Sequence, residues 1–109
     1  MTNQEINEAI HAKLGWKSYK EGECPIRGHG AGGWHYCKDG KEYRYKTPNY
    51  AEDISAAWEI VEKISLGGRI GIHVMNKITS ISLRTETGYY TSEAETTPMA
   101  ICLAFLKLP

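Results

Sequence analysis

An α+β layer fold, ordered helix–hairpin–helix–hairpin–helix with one four-stranded antiparallel sheet covered by helices, follows from three features of this 109-residue chain. Two segments repeat apolar residues at helical spacing, Ile6, Ala9, Ile10 and Leu14 in one, Ile54, Ala57, Trp58, Val61 and Ile64 in the other. Two more segments carry turn-forming pairs, Asp39-Gly40 and Asn76-Lys77, between strand-like runs. A third, almost wholly apolar stretch over residues 99–108 follows Thr97-Pro98, a natural helix start.

Thr2 and Glu5 have capping-box spacing, and Gly15 stands where a helix ends in a left-handed residue. Residues 15–33 are glycine-rich, contain one proline and read as a loop. Strand signals resume at Trp34, and a two-residue turn at Asp39-Gly40 sets Trp34 opposite Tyr45 and Tyr36 opposite Tyr43 on one face. His35 opposite Arg44 and Cys37 opposite Glu42 then form the other face. Thr47-Pro48 breaks the strand pattern, a second helix spans about residues 53–64, and Gly67-Gly68 releases the chain.

The hairpin over 69–84 has two unlike faces. Pairing Met75 with Ile78 sets Val74 opposite Thr79, Ile72 opposite Ile81 and Ile70 opposite Leu83, a nearly apolar face. The other face holds His73 opposite Ser80, Gly71 opposite Ser82, and Arg69 opposite Arg84. Two arginines directly across a ladder repel unless an anion sits between them. A polar loop with Gly88, Tyr89 and Tyr90 leads to the last helix, with Thr97 as its cap and Pro98 in its first turn. The expected core contains Ile54, Trp58, Val61, Ile70, Ile72, Ile81, Leu83, Cys102 and Leu106.

Composition narrows the function. Thirteen basic and thirteen acidic residues cancel, which argues against bulk nucleic-acid binding. No run approaches the apolar length of a membrane span, and the polar, acidic start of the chain lacks a secretory signal pattern. The expectation is a single cytoplasmic domain with no membrane contact. Three cysteines are expected to be free thiols, not a disulfide framework.

The stretch NYAEDISAAWEIVEKI, with Tyr50, Ala56, Ala57, Trp58 and Val61, precedes the second hairpin and the closing segment ETTPMAICLAFLKL. That segment places Thr97, Pro98, Ala100, Ile101 and Cys102, and the first helix ends in Leu14-Gly15-Trp16. This pattern resembles the Phage ABA sandwich domain family. The resemblance implies phage origin, a helix–sheet–helix fold and an accessory rather than virion-structural role, with no catalytic residues to carry over.

Cys24, His29, His35 and Cys37 have metal-ligand residue types. They lack a C-x2-C knuckle, and His35 and Cys37 are awkwardly spaced for one ion, so no metal is expected. The glycine-rich loop at residues 28–33 lacks the Lys-Ser/Thr of a phosphate loop and precedes a strand, not a helix. No acid, base and nucleophile set emerges, so neither catalysis nor a cofactor is expected. Arg69, His73, Ser82 and Arg84 form the first group of candidate ligand-binding residues. Trp34, Tyr36, Tyr43, Tyr45 and Arg44 form the second, unless those aromatics pack beneath a helix.

These residues suit a small anionic ligand, such as a cyclic or ADP-ribose-type nucleotide, gripped by arginine and stacked on an aromatic ring. Joined to the resemblance, the expectation is a counter-defence protein that sequesters a nucleotide immune signal in the host cytoplasm without cleaving it. The alternative is an interaction module that blocks a host or defence protein, since Trp, Tyr and Arg also dominate protein interfaces. Exposed strand edges further predict a homo-oligomer.

Overall fold

The computed structural model describes residues 2–20, 35–38 and 42–109. In order, these form α1 (Asn3–Lys13), β1 (Lys17–Tyr19), β2 (His35–Lys38), β3 (Glu42–Arg44), α2 (Ile54–Ser65), β4 (Gly68–Met75), β5 (Ile78–Thr85), β6 (Gly88–Ala94) and α3 (Thr97–Leu106). The strands make two separate three-stranded antiparallel sheets, β1-β2-β3 and β4-β5-β6, in place of the expected single four-stranded sheet. The extra strands are β1 and β6, each inside a segment that sequence reading assigns to a loop. The order is therefore not helix–hairpin–helix–hairpin–helix, because each hairpin gains a third strand.

Local chemistry accounts for the helix ends. Thr2 and Glu5 form a complete capping box on α1, and Gly15 takes a φ of 103° just beyond its C-cap, Leu14. Asp53 caps α2 by accepting a hydrogen bond from the Ser55 N–H at 2.9 Å. In α3 the cap is Thr96, one residue earlier than expected, and Pro98 lies in the first turn. The Thr97 hydroxyl instead pairs with that of Thr79 at 3.0 Å, tying the helix start to β5.

The second hairpin has the register expected from its apolar alternation, from Arg69 opposite Arg84 to Met75 opposite Ile78. The first does not. Tyr36 pairs with Arg44, Cys37 with Tyr43 and Lys38 with Glu42. Three residues, not two, separate the paired ends; they and Trp34 lie outside the described residues. That one-residue shift puts Tyr36 and Tyr43 on opposite faces of the sheet.

α3 packs across β5 and β6, with α1 and α2 beside it. Thr79, Ile81 and Leu83 of the central strand β5 are buried beneath this layer, with Ile10, Ile60, Ile101 and Phe105. Ser92 of β6 lies under α3 and donates to the Ala100 carbonyl at 2.6 Å, so a small polar residue serves where the helix comes close.

Three expected core residues are corrected. Ile54 and Trp58 of α2 are 45% and 48% exposed, and Ile72 of β4 is 39% exposed. Ala57, Ile60, Val61 and Ile64 form the covered stripe of α2, and Ile54 and Trp58 sit at its margin. The apolar arc of that helix is wider than the surface available to cover it.

Candidate functional site

Strand pairing arranges the outer face of β4-β5-β6 in three rows. Arg69, Arg84 and Tyr89 form the first, Gly71, Ser82 and Thr91 the second, and His73, Ser80 and Glu93 the third. The middle row is low, so the face is a trough between longer side chains. A Cβ on Gly71 would lie 2.8 Å from the Ser82 hydroxyl, so glycine keeps this floor clear. Two open grooves follow the trough, one of about 640 Å³ lined by His73, Ser80, Tyr89, Thr91 and Glu93. The other, about 350 Å³, is lined by Arg69, Gly71, Arg84 and Tyr89; both share Ser82 and Tyr89.

Charge on this face is uneven. Among the described residues the ion pair is Arg44–Glu59, at 3.5 Å, so Arg69 and Arg84 face each other across the ladder with no carboxylate between them. The Arg84 guanidinium lies 5.9 Å from the Tyr89 ring centre. At the far end the Ser80 hydroxyl donates to Glu93 at 3.5 Å, leaving the acidic group two rows from the arginines.

Arg44 stands in different surroundings. Its guanidinium stacks 3.8 Å from the Trp16 ring centre, pairs with Glu59 and donates to the Tyr50 hydroxyl at 3.3 Å. Tyr50 in turn donates to Glu59 at 2.7 Å, and its phenol pKa is raised by burial first and then by the Glu59 carboxylate. His11 stacks on Trp16 at 5.0 Å and meets Tyr36 edge-on at 4.7 Å. Burial, followed by the nearby Arg44 charge, lowers the His11 pKa to about 4.

The two groups of candidate residues therefore separate. Arg69, His73, Ser82 and Arg84 share the trough. Tyr36 and Arg44 belong to the cluster around His11, and Tyr43 of β3 forms an edge-to-face pair at 5.6 Å with Tyr45, just past the strand end. Trp34 lies outside the described residues. Tyr89, Thr91 and Glu93 are the trough residues that sequence reading misses. The Tyr-Tyr-Thr run after Gly88, with its β-forming residues, is the signal that could reveal them.

For the other chemistry, His35 and Cys37 are buried on β2, whereas Cys24 and His29 lie outside the described residues. The Cys102 thiol sits in the core, and burial pushes its pKa up to about 12, which keeps it from acting as a nucleophile.

The model of the Phage ABA sandwich domain family matches residues 8–106. The chain belongs to that family. The resemblance carried by the Tyr50–Val61 stretch and the Thr97-Pro98 helix is thereby borne out. Among solved structures, this Phage ABA sandwich protein is similar to a phage protein from Bacillus cereus ATCC 14579. The two are 26% identical, with a TM-score of 0.65, and the match covers 97% of this chain and 85% of that one. None of the curated proteins matches. No helix among the described residues is long and apolar enough to cross a membrane.

Proposed function

We propose that this phage protein binds a small phosphate-bearing molecule along the trough of its second sheet and holds it without cleaving it. The observation that carries this reading is the Arg69–Arg84 pair, opposed across the ladder and free of carboxylates among the described residues. An anion between them would turn a repulsive pair into two charge-assisted grips. Tyr89 offers a ring beside that position, while Ser82 and Thr91 offer hydroxyls along a floor kept low by Gly71. A nucleotide has the matching parts, phosphate oxygens for arginine and a base for stacking.

The biological form of this proposal is counter-defence in the host cytoplasm, with the protein withholding a cyclic or ADP-ribose-type immune signal. Among the described residues the trough's one hydroxyl–carboxylate contact, Ser80 to Glu93, is long at 3.5 Å, and no hydrogen bond joins His73 to Ser80, which favours retention over turnover. The openness of both grooves favours a second reading, in which the same arginines grip an acidic segment of a host or defence protein.

Calorimetry with a panel of cyclic and ADP-ribose-type nucleotides, on the wild type and Arg84→Ala, separates the readings. The expected result is binding that weakens by about 1.5–3 kcal/mol in the variant. Heat denaturation of the loaded protein should return the ligand intact, and a cleaved product would make the protein an enzyme. No binding by the wild type removes the small-ligand reading in favour of the protein partner.

A further inference from the structure

We propose that the free edge of β4 binds a second copy of this chain, joining the two β4 strands antiparallel about a two-fold axis at Ile72. Asn76 and Lys77 both have positive φ, 51° and 65°, as in a two-residue turn closed by a hydrogen-bonded pair, here Met75 and Ile78. Bonded and non-bonded pairs alternate along an antiparallel ladder, so the backbone N–H and C=O groups of Ile70, Ile72 and Val74 point away from β5. β4 is an edge strand, and nothing among the described residues pairs with those groups.

The opposite edge is guarded. By the same alternation from Thr85 and Gly88, the Thr91 carbonyl of β6 faces outward, and the Lys107 ammonium donates to it. A lysine laid on an edge strand is a recognised way to block pairing. Among the described residues β4 has no such guard. Its outward-bonding residues are also apolar, with Ile72 and Val74 exposed, and α2 packs against β4 with Ile54 and Trp58 exposed. These four side chains expose roughly 400 Å² of largely apolar surface, against the ~800 Å² per partner of a standard interface. Strand backbone and a polar rim would supply the remainder.

A second copy fits because β4 is self-complementary. Centred on Ile72, the pairing sets Ile72 against Ile72 of the partner subunit, and Ile70 against Val74 of the partner subunit. Arg69 then faces the partner's Met75, and Gly71 faces the partner's His73, so no cation opposes a cation. The adjacent register, centred on Gly71, would set Arg69 against the partner's His73 and Val74 against the partner's Gly68, leaving Met75 beyond the end of the paired strand. The favoured register makes one continuous six-stranded sheet. It also brings the partner's His73 beside Gly71, in the trough that holds Arg69 and Arg84.

Light scattering and sedimentation on the full chain, across a dilution series, test this directly. The expected result is a reversible dimer whose self-association weakens about tenfold or more in both Val74→Pro and Ile72→Lys. Proline at 74 removes an N–H that points away from β5, so the β4–β5 ladder remains and the melting curve should hold. Amide exchange on the wild type gives an answer that needs no variant, with Ile70, Ile72 and Val74 protected when concentrated and exchanging on dilution. A wild type that stays monomeric throughout overturns the proposal, as does a dimer in which those three amides exchange freely. Neither result depends on a nucleotide, so this interface and the proposed ligand fail separately.

Discussion

Arg44 on the first sheet and Arg84 on the second carry the same guanidinium into opposite surroundings. Arg44 stacks on Trp16 at 3.8 Å, pairs with Glu59 and donates to Tyr50, in contact with the buried core. Arg84 is exposed, lies 5.9 Å from the Tyr89 ring centre, and stands opposite another arginine. An arginine whose donors and ring face are engaged contributes to folding. One held against a like charge by strand register leaves its donors available to an external anion.

Acid should produce the largest effect on stability, and it acts on the Arg44 side. His11 has a folded pKa of about 4 against an ordinary value of 6.5, so the unfolded chain binds the extra proton between those limits. This contribution is therefore fully present above pH 6.5 and falls as pH drops toward about 4, by about 2–3 kcal/mol. Urea melts between these pH values should show that loss, and His11→Phe should flatten it. A wild-type curve as flat as the variant's would remove His11 from the account.

Arg44→Ala comes next, at about 1–2 kcal/mol of lost stability from its stacking and ion pair together. The same change should raise the His11 pKa, because the Arg44 charge is the second cause of its depression after burial. NMR titration of the imidazole checks the direction. The smallest effect is expected at Arg84→Ala, with a stability change of a few tenths of a kcal/mol in the favourable direction as a like-charge pair is relieved. Thermal melts of the two alanine variants, run together, would break the comparison if they lost equal stability.

The second hairpin is legible in the sequence because its two faces differ. Ile70, Ile72 and Val74 against Thr79, Ile81 and Leu83 admit one register, since a one-residue slip would send every apolar group outward. The first hairpin lacks that contrast. With aromatics on one candidate face and His35, Cys37 and Arg44 on the other, Asp39-Gly40 alone suggests a register one residue away from the one formed. β6 is hidden because its inward positions are Tyr90, Ser92 and Ala94, with no apolar alternation to mark a strand, and Thr91 and Glu93 of the trough are hidden with it. Helical periodicity locates the buried stripe of α2 but not how much of it is covered, which is why Trp58 emerges exposed.

Nucleotide binding compared between Arg84→Ala and Arg44→Ala, at neutral pH and a temperature where both are folded, decides whether the ligand lies on the second sheet. Arg84→Ala should bind at least about tenfold more weakly than the wild type, the loss expected from one charge-assisted grip. Arg44→Ala should bind as the wild type does. Equal affinity in the two variants, or a loss confined to Arg44→Ala, would contradict the placement of the ligand on the second sheet.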